Sequence, residues 1–165
     1  MPFARPRLAR VEIHPRTPAD LDACVEALAA VHAADRYPVD WPADPARWLT
    51  PDGVIGAWIA VEDGAVLGHV ALTRDMEVTR LYVAPAARGR GLAARLLGTV
   101  RSAARGPVRL EVSAEGRAAI ALYERSGWRR TATTRATWRD TTGEPAVLHH
   151  YVSPPAQEDN ENSFL

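Results

Sequence analysis

Between Val78 and Leu97 the chain reads VTRLYVAPAARGRGLAARLL, a strand-forming stretch that passes through a glycine-and-arginine turn into an amphipathic helix. Val78, Leu81, Tyr82 and Val83 favour a strand, and Ala84-Pro85 stops it. Arg88-Gly89-Arg90-Gly91-Leu92-Ala93 then opens a helix that carries Leu92, Leu96 and Val100. A helix start leaves backbone N–H groups without intrahelical acceptors and holds the positive end of the helix dipole. Glycines at 89 and 91 let a phosphate reach that backbone with no side chain in the way. The chemistry these residues offer is the binding of a phosphorylated ligand.

The elements around this turn follow from periodicity and punctuation. Val11-Glu12-Ile13 predicts a short first strand, and Thr17-Pro18-Ala19-Asp20 opens a helix through about Ala33. The segment from Asp35 to Thr50 is rich in proline and tryptophan, with one helical turn around Ala46 to Leu49. Residues 54–61 and 65–73 alternate as two strands joined by a hairpin turn at Glu62-Asp63-Gly64. A strand over 77–83 leads into the phosphate turn and a helix ending near Arg105, before the stop at Gly106-Pro107. Another strand at 108–112 precedes a helix from Ala114 to Ser126, closed by Gly127. Two last strands, 128–139 and 146–152, are joined by Asp140-Thr141-Thr142-Gly143. This order predicts one α+β domain over 11–153 with a mostly antiparallel sheet, parallel only from Glu77 to Val112. Residues 1–10 read as a flexible start and 154–165 as a disordered polar tail.

Composition excludes several classes. At 165 residues the chain is long enough to bury roughly two-thirds of its unfolded surface. Net charge is zero, so no sequence-wide field draws it to nucleic acid or anionic lipid. Its cations are all arginine and it contains no lysine, which rules out a lysine Schiff base. Cys24 is the single cysteine, so intramolecular disulfides and thiolate clusters are excluded, and a buried inert thiol is expected. No apolar run approaches membrane-spanning length, and the basic opening lacks the apolar stretch of a secretory signal. Cytoplasmic residence is the expectation left.

Two readings compete for the phosphate turn. Gly89-x-Gly91-x-x-Ala94 fits a dinucleotide fingerprint, with Glu111 about where a ribose-binding acid is sought. That fold needs repeated βαβ units, whereas this motif lies mid-chain after a meander. The better match is to the GNAT superfamily of N-acetyltransferases. LYVAPAARGRGLA resembles that family's strand and acetyl-CoA loop, with Arg88-x-x-Gly91-x-Ala93 in register. LEVSAEGRAAIALYERSGW, from Leu110 to Trp128, resembles the strand and helix that follow.

The resemblance implies a sheet splayed between the strand ending at Val83 and the strand 108–112. Pantetheine would lie there against the backbone of Leu81, Tyr82 and Val83. The diphosphate of coenzyme A would sit on the N–H groups of Arg88, Gly89, Arg90, Gly91, Leu92 and Ala93. Arg88 and Arg90 either add charge-assisted contacts or stand as solvated surface groups. Acetyl transfer from acetyl-CoA to an amine needs a base for the ammonium, a donor for the oxyanion and an acid for the thiolate. By motif register Tyr123 is the acid; by periodicity alone it is a core residue. Glu77 is the candidate base, directly or through water, placed by alternation on one face with Thr79, Leu81 and Val83, or else a solvated carboxylate at a strand end. The Val83 N–H is the candidate oxyanion donor. Glu111, His69 and the His149-His150 pair are lesser candidates for the base that read more readily as hydrogen-bonded structural groups, and the two adjacent histidines cannot share one metal. Gly116 stands where the family usually carries asparagine, leaving Ser113 as the expected helix cap.

The acceptor end is expected in the segment after the first helix, at Tyr37, Asp40, Trp41 and Trp48, with Trp138 and Tyr151 opposite. Asp40 beside Trp41 suits a cationic amine; the alternative is a capped loop packing its tryptophans on the core. The expected partner is thus a small-molecule or peptide amine, with neither nucleic acid nor membrane involved and the protein a monomer or homodimer. A non-catalytic acyl-CoA-binding regulator is the alternative from another class.

Overall fold

The computed structural model describes residues 10–155, and the chain divides into two compact units, Met1–Ala103 and Ala104–Leu165. The flexible start and the tail expected at the termini fall outside the described residues, except for Arg10, Pro154 and Pro155.

The first unit holds β1 (Glu12–Pro15), α1 (Leu21–Asp35), α2 (Pro45–Trp48), β2 (Val54–Glu62), β3 (Ala65–Thr73), β4 (Val78–Val83) and α3 (Leu92–Ala103). Its four strands form one antiparallel sheet in the order β1-β2-β3-β4, so β4 is an edge strand. The β2–β3 hairpin closes on Asp63 and Gly64, both with positive φ (50° and 77°), the backbone that suits a twisted two-residue turn. Ile59 of β2 and Tyr82 of β4 both pair with His69, and they join Cys24, Ala27, Leu28 and Val31 of α1 in one buried cluster. Gly68, the neighbour of His69, turns its other face to α3: a Cβ there would lie 3.0 Å from Leu96 Cδ1 and 3.1 Å from the Tyr82 carbonyl. Successive strand residues face opposite ways, so α1 and α3 cover opposite faces of this sheet.

The second unit holds β5 (Arg109–Ser113), α4 (Arg117–Arg125), β6 (Arg129–Arg139) and β7 (Pro145–Val152), with strands ordered β5-β7-β6 and all pairings antiparallel. Val108, Leu110, Tyr123, Trp128, Ala146 and Tyr151 are its buried apolar residues. Among the described residues every ladder is antiparallel, which leaves no place for the repeated parallel units of a dinucleotide fold. The α+β expectation with mostly antiparallel strands is met.

Three local expectations needed correction. The helix after β5 starts at Arg117 rather than Ala114, because the Gly116 N–H bonds back to the Ser113 carbonyl (2.8 Å) in a turn. Ser113 does not cap that helix; its Oγ accepts from the Glu115 N–H (3.3 Å), while Gly116 stands at the cap with no side-chain bond. The third is in β4, where strict alternation fails. His69 pairs with Tyr82 but Ala71 pairs with Thr79, so Val70 faces two residues, Arg80 and Leu81. Arg80 is the inserted residue, in left-handed backbone at φ 54°. Glu77 and Thr79 therefore share the face of Tyr82, while Leu81 and Val83 are on the other, instead of all four lying together. No helix among the described residues is long and apolar enough to cross a membrane.

Candidate active site

The phosphate turn is open. Gly89 and Gly91 adopt φ 77° and 73°, and a Cβ at either would meet no heavy atom within 4 Å. Leu92 anchors the turn by burying its side chain at the start of α3, whose first-turn N–H groups have no intrahelical acceptor. The backbone at both glycines stands in open space that no side chain occupies, which leaves a diphosphate free to approach it. Each of the two expected arginines is held by a carboxylate from another element: Arg88 by Asp35 at the end of α1, and Arg90 by Glu62 at the end of β2 (Nη1–Oε1 3.2 Å, Nη2–Oε2 2.5 Å). All four groups are solvent-accessible, so these pairs are weak and exchangeable.

β4 leads into this turn with its outer edge unpaired in its sheet. The Ala84 N–H donates to the Leu67 carbonyl (2.7 Å). Hydrogen-bonded and non-bonded positions alternate along an antiparallel pair, so the Val83 N–H points to the outer edge. Glu77 precedes β4, half-buried, with its N–H donating to Thr73 Oγ1 (3.2 Å) and its carbonyl accepting from the Thr73 N–H (2.9 Å). The Tyr82 side chain turns inward, donating its hydroxyl to the Cys24 carbonyl (2.9 Å), and only its backbone is left for a ligand. Cys24 is buried, and burial pushes its thiol up to about 11, as an inert core cysteine requires.

His69 is fully buried and bonded at both ring nitrogens: Nδ1 lies 2.8 Å from the Arg80 carbonyl, and Nε2 lies 2.8 Å from Arg16 Nη1. A carbonyl only accepts and a guanidinium only donates, so the ring is the neutral Nδ1–H tautomer. Desolvation holds it there, lowering its pKa to about 4. Its structural role, expected from the sequence, is met.

The segment after α1 is packed rather than loose. The Tyr37 ring meets Trp48 edge-on at 5.8 Å, and burial pushes its phenol up to about 12. Trp41 lies against the His32 ring (5.4 Å), whose Nδ1 bonds the Pro38 carbonyl (2.7 Å). Asp40 and Trp41 are exposed. Sequence reasoning missed Arg80, which reaches from β4 to this segment: its Cζ sits 4.0 Å above the Trp48 ring and its Nε donates to the Trp48 carbonyl (2.8 Å). The only signal was an arginine inside an otherwise apolar strand run, and alternation assigned it no site.

In the second unit Tyr123 is buried on α4, its ring 5.7 Å from Trp128 and 5.8 Å from Tyr151. Tyr151 is 1% exposed and belongs to this aromatic core, which corrects its place among acceptor-lining residues. Its hydroxyl donates to Glu124 Oε1 (2.8 Å) and accepts from Arg130 (3.1 Å). Trp138 is 43% exposed on β6. His149 and His150 bond Thr133 and Thr134 respectively, and His150 lies 3.7 Å from Glu111. A Cβ at Gly116 would lie 3.1 Å from Val112 Cγ2 and 3.2 Å from the Ser113 carbonyl, so this turn excludes the family's asparagine without movement.

The sequence profile of the Acetyltransferase (GNAT) family matches residues 21–128. The chain belongs to that family. This GNAT chain is 32% identical over 101 residues to the N-alpha-acetyltransferase RimI of Mycobacterium tuberculosis, covering 56% of itself and 64% of that protein. It spans less than two-thirds of the curated relatives it matches, and only 38% of an uncharacterized protein of Mycobacterium leprae, at 34% identity over 143 residues and 80% of this chain. Its fold is similar to the ribosomal-protein-S18-alanine N-acetyltransferase of Escherichia coli, with TM-score 0.71 and 20% identity, covering 94% of this chain and all of the other. It is also similar to Arabidopsis thaliana NAA60 in complex with acetyl-CoA, with TM-score 0.69 and 20% identity, covering 87% and 97%.

Proposed function

We propose that this GNAT chain is an acetyl-CoA-dependent N-acetyltransferase acting on a primary amine of a small molecule or peptide, by direct attack in a ternary complex, with the cytoplasm as its compartment. The observation that carries this is the open turn with left-handed Gly89 and Gly91, placed between the edge strand β4 and α3. Bound acetyl-CoA supplies the activated acyl group. The N–H groups of residues 88–93 hold its diphosphate, with the dipole of α3 contributing about 1 kcal/mol. The outward N–H of Val83 donates to the oxygen on which charge develops. Glu77 accepts the amine's proton, and Tyr123 donates one to the departing sulfur. The names of the relatives, RimI and the alanine N-acetyltransferase of ribosomal protein S18, support a peptide N-terminus as the first acceptor to try.

The test couples thiol release from acetyl-CoA to a panel of primary amines, with CoA binding measured separately by calorimetry. Turnover that needs both the donor and one class of amine is expected. Silence across the panel with CoA bound would leave the acyl-CoA-binding regulator as the better reading. Tyr123→Phe is expected to lower kcat by about a hundredfold or more while leaving CoA affinity unchanged. An unchanged kcat would remove Tyr123 from the mechanism.

A further inference from the structure

Several features meet at Arg80 that a plain edge strand does not require. Its left-handed backbone, φ 54°, costs a non-glycine residue about 1 kcal/mol. Its guanidinium is partly buried over Trp48, and burial pulls its pKa below the usual arginine value. Nε and Nη1 are engaged by the Trp48 carbonyl and Thr79 Oγ1, while Nη2 has no partner among the described residues.

Arg88, Arg90 and Arg130 each have a carboxylate partner. Arg80 and Arg16 have none among the described residues. These two are linked through one buried imidazole: Arg16 Nη1 bonds His69 Nε2, and the Arg80 carbonyl bonds His69 Nδ1. They also grip consecutive residues of one segment, Arg80 on the Trp48 carbonyl and Arg16 on the Leu49 carbonyl (3.0 Å) and Thr50 Oγ1 (2.5 Å). These are two partly buried cations near a neutral histidine; carbonyl bonds and the Trp48 face offset part of the burial cost, and an anion at the open Nη2 of Arg80 would offset more. Asp20 lies within electrostatic reach of Arg16, whereas no carboxylate is paired with Arg80 among the described residues. The site also adjoins Tyr37 and Trp48, in the segment that flanks the proposed acceptor end.

We propose that Arg80, with Arg16 across His69 from it, binds a carboxylate carried by the acceptor, so that amines bearing a nearby acidic group are the preferred substrates. This rests on the acetyltransferase reading above. A guanidinium with a free Nη2 edge matches a carboxylate oxygen better than any neutral group. The carboxylate is either the α-carboxylate of a free amino acid or an acidic side chain beside a peptide N-terminus. Asp40, exposed in the same segment, then meets the cationic part of such an acceptor.

The experiment compares matched acceptors in the full chain with acetyl-CoA: Ala-Glu-Ala-amide against Ala-Gln-Ala-amide and Ala-Lys-Ala-amide, and free alanine against alaninamide. An acidic member of at least one set should exceed its neutral counterpart by about tenfold in kcat/KM, mostly through KM. A preference confined to alanine assigns the α-carboxylate, and one confined to the glutamyl peptide assigns the side chain. Arg80→Gln should reduce the preference to near unity, and Arg80→Lys should restore part of it. If Arg80→Gln does not fold, the wild-type preference and its partial retention in Arg80→Lys decide the question. Equal turnover of acidic and neutral acceptors by the wild type, or a preference intact in a folded Arg80→Gln, overturns the inference while leaving the acetyltransferase reading in place. Silence of every acceptor with CoA bound overturns both.

Discussion

His69 shows how one side chain couples burial, tautomer and backbone. Its carbonyl partner, at Arg80, belongs to a bulge residue in a costly conformation, so the imidazole helps hold β4 in its irregular register. Protonation would put a third positive charge between Arg16 and Arg80 and remove the acceptor for Arg16. The folded-state pKa is lowered to about 4, against about 6.5 for a free histidine. Between these values the unfolded chain binds the proton and the folded one does not. Stability from this group is therefore complete above about pH 6.5 and falls as pH drops toward 4, by about 3 kcal/mol in all. Urea titrations from pH 7 to 4 should show that slope, and His69→Gln should flatten it; in NMR spectra the His69 ring should not titrate near pH 6.5. A ring that titrates there would contradict the buried neutral tautomer.

Among the elements, two glycines do different work. Gly68 is a packing glycine: its missing Cβ lets α3 approach β3, with Leu96 and the Tyr82 carbonyl already at the space a methyl would take. Gly68→Val should lower the urea midpoint by the equivalent of about 1–3 kcal/mol. Gly91 is a backbone glycine, at φ 73° with open space around it. Gly91→Val should cost the fold only the strain of that conformation, about 1 kcal/mol, yet weaken CoA binding by tenfold or more, as calorimetry would show. A CoA affinity unchanged in Gly91→Val would mean the diphosphate is not seated on this turn. The β4 bulge was invisible to alternation because one inserted residue reverses every side chain beyond it. Arg80 was missed for the same reason, and so was the separation of Glu77 from Leu81 and Val83.

For the molecule, a ligand that binds only the folded chain raises its stability by mass action. CoA at a hundred times its dissociation constant should therefore stabilise the protein by about 2.7 kcal/mol in a thermal-shift experiment, and NAD should give no shift. Stabilisation by NAD alone would reverse the choice of ligand. The choice was already legible in the chain, because the glycine turn depends on local backbone and the order of elements on local periodicity. The α+β class, the hairpin at Asp63-Gly64, the opening of α3 and the inert Cys24 all followed from residues close together in sequence. The bulge at Arg80, the imidazole between two arginines, the carboxylates on Arg88 and Arg90, and the enclosure of Tyr151 did not. Each joins residues far apart along the chain, and no propensity or spacing encodes which distant side chain a folded backbone brings within bonding distance.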